Sequence, residues 1–600
     1  MQLTDFDRFP NLVAMFLDRA RTRGALPMLV AKHSGAWHPI DWTTAADQVC
    51  VLAQSLRRIG LNDGDRVALV SENRPEWCIA DLAIMAAGLV TVPTYTTNTE
   101  RDHHHILENS GARAIIVSTA KLAPPLLAAA MRAPNVEHVI GIEPMRQMQS
   151  GMLTFHDWSD LTTGNIAQAR AETEARINAI GRDALACIIY TSGTGGAPRG
   201  VRQHHGAILR NVDGAARILA EDFGWKDEVF LSFLPLSHAY EHSAGQFLPI
   251  GMGGAIHYAE SLEKLAANME EVHPTIMVVV PRLFEVLRTR IMKQVEKQGR
   301  LPTAMMHQAL AIATRRAAGK SRLTDRLVEI VLERTLRPKI RNRFGGRMKA
   351  LVSGGAPLNP DVGIFFEAMG LTLLQGYGQT EAGPVISVNR PRAGVRMDTV
   401  GPPMREVSVK IAEDGEVLVH GELVMHGYWR NEVETLRTIR NGWLHTGDIG
   451  HIDAAGRIVI TDRKKDMIVN DKGDNISPQK IEGMLTLQPE IAQAMVSGDK
   501  RPYVVGLIVP DAEWALDWAR AADEHFNIAA LQDLPAFRVA IRAALDRVNA
   551  DLAVTEKVRQ FAFADEPFAI ANEELTPSMK IRRHKIRERY GARVNGLYKG

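Results

Sequence analysis

An apolar run, Leu185 to Tyr190, leads directly into Thr191-Ser192-Gly193-Thr194-Gly195-Gly196-Ala197-Pro198-Arg199-Gly200. No other junction constrains this chain as strongly. The run reads as a buried strand. In the loop, glycines let the backbone approach closely and turn its N–H groups inward. Hydroxyls add donors, Pro198 fixes the exit and Arg199 brings charge, so the loop suits a phosphate chain. The plain alternative is a surface loop between a strand and a helix, and the segments downstream decide between the two.

A chain of 600 residues exceeds what one hydrophobic core supports, so two or more domains are expected. With 46% hydrophobic and 23% charged residues it reads as a soluble globular protein. Its net charge of +2 sets up no global field toward nucleic acid or membrane. Cys50, Cys78 and Cys187 have the spacing of neither a metal site nor a disulfide framework, which fits a reducing, cytoplasmic compartment. The first twenty residues carry scattered charges and no apolar h-region, and the apolar stretch Leu82–Val92 is too short for a membrane span.

Helix-like and strand-like segments alternate along most of the chain. Ala45–Ile59 is amphipathic, with Val49, Leu52, Leu56 and Ile59 on one face. Arg66–Val70 and Ala114–Val117 read as strands with a helix, Trp77–Gly88, between them. Ile276–Val280 suits a strand covered on both faces. This rhythm predicts an α/β fold: a large N-terminal domain, residues 1–462, of parallel-rich sheets with packed helices. The charged run Thr461–Asp466 reads as a solvated turn and a domain junction. Beyond it, 463–600 is expected to form a small α+β domain, whose helix Phe537–Leu552 carries a core stripe.

Four further segments carry chemistry. Ser353-Gly354-Gly355-Ala356 follows the strand Lys349–Val352, and its glycines allow a flat group against the backbone. In Gln375-Gly376-Tyr377-Gly378-Gln379-Thr380-Glu381 a tyrosine flanked by glycines can stack on a base. Thr380 can donate to phosphate, and Glu381 can ligate Mg²⁺. Asp448, after a glycine, can accept both hydroxyls of a ribose. Lys580 sits in a basic stretch near the C-terminus; alone, such a stretch is most often solvent-exposed.

Together, in this order, the segments resemble the AMP-forming acyl-CoA synthetases of the adenylate-forming superfamily, over about residues 10–598. Gly-Tyr-Gly-Gln-Thr-Glu at 376–381, Leu-Pro-Leu-Ser-His at 234–238, Asp-Arg-Lys-Lys-Asp at 462–466 and Leu-Thr-Pro-Ser-Met-Lys at 575–580 look like the long-chain fatty acid–CoA ligases. The resemblance implies ATP, Mg²⁺ and coenzyme A as partners of the reaction. A fatty carboxylate would attack the α-phosphate of ATP, and the coenzyme A thiol would then take the acyl group from the adenylate. It places Thr191, Ser192, Gly193, Thr194 and Arg199 on phosphate. Gly354, Gly355, Ala356, Gln375, Gly376, Tyr377, Gly378 and Thr380 would line the nucleotide. Asp448 and Arg463 would hold ribose, Glu381 the metal, and His238 would sit near the carboxylate. Lys580 would serve adenylation, and Lys465 would be the hinge of a mobile C-terminal domain. Thr191, Glu381 and Lys580 are the expected catalytic groups.

The chain departs from the family's loop at Gly195, where a second Thr is usual, and at Arg199, where Lys is usual; ATP handling is where a difference is expected. Gly319-Lys320-Ser321 echoes a Walker A ending without its earlier glycine, in a setting read as a basic helix. His238-Ala239-Tyr240-Glu241-His242 matches a zinc-protease pattern that the preceding Leu-Pro-Leu-Ser explains better. His103–His105 reads as a solvated helix start. Residues 288–349 carry 17 Lys/Arg against four acidic residues, either a solvated face or a contact for anionic membrane. Two other functions share these features: a ligase loading an acyl carrier protein, and a non-catalytic acyl or nucleotide sensor.

Overall fold

The computed structural model describes residues 5–145, 152–191, 197–576 and 580–599. The expected phosphate-loop residues Ser192, Gly193 and Thr194, with Gly195, lie outside them, as do 577–579 of the segment leading to Lys580.

The N-terminal part is built on two large sheets. The first has seven strands in the order Thr154–Asp157, His138–Gly141, Ala114–Val117, Arg66–Val70, Val90–Thr94, Leu185–Thr191 and Arg199–His204. Its pairs are parallel except the last, in which Thr191 lies opposite Arg199. The second has eight strands, with Ile276–Val279, Ala350–Ser353 and Leu373–Gly378 side by side and parallel. Antiparallel strands close both of its edges, Val385–Val388 at one and Ala36–Asp41 at the other.

Strand alternation sets the layering. Val67, Leu69, Ala114 and Ile116 face the same core as Phe230, Ile256 and Ile276 of the other sheet, so the helices Trp42–Arg58, Pro75–Ala86 and His205–Phe223 are sandwiched between sheets. Pro75–Ala86 is buried around nearly its whole circumference for that reason. Ala68, Val70, Ile115 and Val117 face the other way, onto the helix Ala123–Ala130. The far face of the eight-stranded sheet, with Met277, Val279 and Leu351, is covered by helices within 281–343 and by Pro360–Ala368.

A third, antiparallel sheet holds Glu416–His420 and Trp443–Ile452, and Ile458–Arg463 pairs along the latter. Thr461–Arg463 therefore belongs to a strand; only Lys464–Asp466 forms the expected turn, with Lys465 exposed in it. The remaining chain makes a three-stranded sheet, Ile491–Ser497, Val504–Pro510 and Val558–Phe563, with separate cores on its two faces.

Two local readings change. His103 is buried within the helix Glu100–Ser110, whose start is capped by Thr99 and Asp102, so His103–His105 is not a solvated helix start. Gly319–Ser321 lies between two helices and not within one. No helix among the described residues is long and apolar enough to cross a membrane.

Candidate active site

The parallel register Ser353↔Gln375 puts the turns after two neighbouring strands side by side at the carboxyl end of the sheet. The first turn carries Gly354–Ala356; Gly376–Gly378 end the second strand, and Gln379–Glu381 follow in the turn beyond it. They open onto a cleft of about 2240 Å³ that also touches Thr191, Arg199, His238, Asp448, Arg463, Lys465 and Lys580. Residues widely separated in sequence thus share one space.

Asp448 and Arg463 face each other across the antiparallel strands Trp443–Ile452 and Ile458–Arg463. That register yields their ion pair at 3.2 Å. The Tyr377 hydroxyl donates to the other carboxylate oxygen of Asp448 at 2.7 Å. Asp448 is only 3% exposed. Burial pushes its pKa up, and Arg463 and Tyr377 pull it back. Burial and the adjacent Asp448 carboxylate hold the Tyr377 phenol well above its usual range, so it stays a donor.

Glu381 receives the Tyr428 hydroxyl at 2.9 Å. Tyr428 in turn lies under Arg199, whose guanidinium carbon is 4.8 Å from the ring centroid. Arg199 pairs with Glu434 at 2.7 Å. Its charge is therefore already engaged, opposite Thr191 across the strand pair. Tyr428 and Glu434 were not anticipated. Their sequence context, Gly427-Tyr428-Trp429 and a short acidic helix, carries no signal until folding brings them beneath Arg199. The loop's exit is anchored by His105, whose Nε2 is 2.9 Å from the Pro198 carbonyl.

Backbone geometry accounts for the glycines differently from one another. A Cβ on Gly378 would come within 1.9 Å of the Pro384 carbonyl oxygen, because the 379–384 segment folds back on it. A Cβ on Gly354 would strike the Tyr240 ring at 2.7 Å; Tyr240, donating to the Val352 carbonyl, already occupies that face. Gly355, at φ +82°, presents the open face to the cleft. The Gln375 amide oxygen is buried without a partner among the described residues. Thr380 accepts at its carbonyl from the Gln203 amide, which leaves its hydroxyl outside that contact.

Lys580 and His238 occupy the far wall. Lys580 keeps access to the cleft but is crowded by protein; burial first, and the Arg463 charge second, lower its pKa to about 8. Asp448 and Glu381 act in the opposite sense. Reciprocal bonds tie Lys580 to Thr576: its N–H donates to the Thr576 hydroxyl oxygen, and the Thr576 N–H donates to its carbonyl. Burial, with Lys580 nearby, lowers His238 to about 4, so its ring is neutral. Its Nδ1 accepts from the Tyr240 N–H, which leaves the ring proton on Nε2.

The zinc-like pattern does not assemble. His242 bonds Asp81 at 2.8 Å, Glu241 accepts from Ser232 and His238 from Tyr240. Among the described residues one trio of ligand types does meet, Asp183, His204 and His426. Its two imidazoles stack at 4.0 Å and 12°, so their in-plane lone pairs do not converge on one ion.

The AMP-binding enzyme family model matches residues 16–429, and the AMP-binding enzyme C-terminal domain model matches 465–600. The chain is 31% identical over 599 residues to the long-chain-fatty-acid–CoA ligase FadD15 of Mycobacterium bovis, covering 98% of this chain and 97% of that one. It is 29% identical to the peroxisomal long chain acyl-CoA synthetase 6 of Arabidopsis thaliana, covering 91% and 80%. Among solved structures, the adenylation domain of a Mycobacterium chelonae carboxylate reductase superposes with a TM-score of 0.75 at 21% identity, over 98% of this chain and 91% of that one. The anthranilate CoA ligase AuaEII, solved with anthranoyl-AMP, gives 0.72 at 19%, over 99% and 100%. With the cleft, both family matches and near-full-length relatives in agreement, this chain belongs to the AMP-binding enzyme family.

Proposed function

We propose that this protein is an AMP-forming ligase that converts a long-chain fatty acid, ATP and coenzyme A into acyl-CoA, AMP and pyrophosphate. One observation carries the reading. Lys580, the Tyr377–Asp448–Arg463 set and Glu381 share a cleft whose other wall is apolar, lined by Phe233, Leu248, Ile276, Val278, Leu283 and Val286.

In the first step a carboxylate oxygen bonds the α-phosphorus, and the bond to the bridging oxygen breaks, releasing pyrophosphate. The difficulty is bringing two anions together. Lys580, with its pKa near 8, is mostly cationic at pH 7 and bridges carboxylate and α-phosphate. His238 offers its Nε2–H to the carboxylate without adding charge. Asp448 accepts the ribose hydroxyls while Arg463 holds it ionised. Tyr377 serves twice, its ring against adenine and its hydroxyl on Asp448. Gly355, Ala356, Gln375, Gly376 and Gly378 complete the nucleotide wall, and Thr191, Ser192, Gly193, Thr194 and Thr380 meet the phosphates.

Glu381 fits a magnesium ion, since Tyr428 engages one of its oxygens and leaves the other for a hard cation. Bound there, the ion neutralises phosphate charge.

In the second step the thiol sulfur bonds the acyl carbon, the acyl–phosphate bond breaks and AMP leaves; the thiol proton goes to solvent. Lys580 has no part in it. The chain divides at 462/463, and Lys465 absorbs the rotation that withdraws the lysine. Lys464 is tied to Asp414 and Glu416 on one side, and Arg583 grips Glu482 on the other, so the exposed turn between them is the free element. The basic segment 288–349 brings the enzyme to anionic membrane, where its acids partition.

Pyrophosphate release with a panel of acids tests this. Release that depends on a long-chain acid, with acyl-CoA and AMP appearing only when coenzyme A is present, is the expected result. Release without acid dependence, or acyl transfer to a carrier protein but not to coenzyme A, overturns it.

A further inference from the structure

The helix Leu323–Arg343 has a second apolar face that nothing among the described residues covers. Leu332, Leu336 and Ile340, with Val328 packed beside them, turn one side of the helix into the core beneath the eight-stranded sheet. On the opposite side Leu323, Leu327, Ile330 and Val331 are 84%, 70%, 49% and 54% exposed. Their spacing of four, three and one places them on one stripe. Arg326 and Arg334 fall on the same stripe, also exposed.

The flanking carboxylates belong to other cations. Glu329 pairs with Arg316 and Arg337, and Glu333 with Arg337 and Arg341. Asp325 is buried against Arg315. The stripe itself carries no acid, and among the described residues neither Arg326 nor Arg334 has an acidic partner.

We infer that the exposed stripe Leu323, Arg326, Leu327, Ile330, Val331 and Arg334 docks the protein on an anionic lipid surface, with the helix lying in the plane of the headgroups. Leucines and a β-branched pair between arginines match a layer that is apolar below and negative above. A second copy of the chain fits worse. About three helical turns bury far less than the roughly 800 Å² per partner of a stable dimer, and a two-fold contact would set unpaired arginines against each other. The inference rests on the ligase reading only for its purpose, which is to place the cleft beside acids held in a bilayer.

The test uses the full chain, its Leu327→Asp variant and its Arg326→Glu/Arg334→Glu double variant. Each is sedimented with phosphatidylglycerol/phosphatidylcholine vesicles and with phosphatidylcholine vesicles alone. Pyrophosphate release dependent on a long-chain acid, supplied without vesicles, is measured in parallel. The expected result is binding of the wild type to the anionic vesicles, weakening with salt, and a loss of at least roughly tenfold in partitioning for both variants with release unchanged. Equal binding by wild type and variants overturns the inference, as does wild-type binding indifferent to lipid charge. Release lost together with binding also overturns it, because the stripe then serves the fold. Self-association of the wild type that the variants abolish assigns the face to a second copy instead. If the wild type releases no pyrophosphate with any acid, the ligase reading fails while the vesicle result still decides the docking face.

Discussion

Replacing Tyr377 with Phe removes one oxygen and leaves the ring, so it separates the two roles given to this residue. The hydroxyl donates at 2.7 Å to a carboxylate that is 3% exposed. A hydrogen bond to a charged group contributes about 1.5–3 kcal/mol, and about 2 kcal/mol is a fair middle for a bond this short. What remains for Asp448 is the 3.2 Å contact with Arg463 on its other oxygen. The loss falls on the ionised form, the only one that bonds to the phenol in this way. That loss raises the Asp448 pKa further in the direction burial has already pushed it.

The sign follows. A carboxylate with a raised pKa loses its charge at higher pH, so the acidic limb of kcat/KM for ATP moves upward in Tyr377→Phe. The variant is expected to fall furthest below the wild type at the acid end of the range, by at most the roughly thirtyfold that about 2 kcal/mol represents, and the gap narrows as pH rises. Tyr377→Leu lowers kcat/KM at every pH because the stacking surface goes too. Initial rates of pyrophosphate release from pH 5.5 to 9 provide the measurement. If Tyr377→Phe lowers kcat/KM by one factor at all pH values with the acidic limb unmoved, its hydroxyl does not act through Asp448, and the ribose assignment loses its electrostatic support.

Three other perturbations reach different parts of the molecule. Lys580→Ala is expected to abolish pyrophosphate release while thioesterification of supplied acyl-adenylate largely survives; equal loss of both half-reactions in a folded variant contradicts the division of labour. Glu434→Ala frees Arg199 from its 2.7 Å partner, so the guanidinium is available to the triphosphate. The KM for ATP should fall a few-fold, and more strongly than in Glu434→Ala combined with Arg199→Met; no change in either isolates the pair from nucleotide binding. Burial raises Glu241 to about 8, so the native state holds a proton that the unfolded chain releases near the ordinary carboxylate pKa. Stability therefore declines as pH rises from about 4.5 to 8 and then levels. Glu241→Gln, which carries no charge to bury, should flatten that decline; a Tm profile between pH 5 and 9 parallel to the wild type refutes the assignment.

What was legible in the sequence depended on whether the deciding interaction was local. Arg66–Val70 and Ala114–Val117 appear as read because a short, continuous apolar run buried on both faces declares itself residue by residue. The segments at 354–356 and 375–381 were legible for the same reason, since glycines and hydroxyls packed into a few positions are a local signal. The junction at 461–466 misled because charge implied a turn. Its first half is strand, and Arg463 is charged in order to meet Asp448 across a register that no spacing between 448 and 463 discloses. Gly354 shows the same limit from the other side. The sequence offered its bare backbone to a flat ligand, but the face is filled by Tyr240, more than a hundred positions earlier and anchored on Val352. Arg199 stands at the extreme. As a departure from the family's lysine it was visible at once, yet its consequence depends on Tyr428 and Glu434, which only the fold places beneath it. A lysine would deliver a point charge there, whereas the planar guanidinium can stack on Tyr428 and pair with Glu434 together. The substitution and its partners form one arrangement, reaching through the Tyr428 hydroxyl to Glu381, and the variants at 199 and 434 test it as a unit.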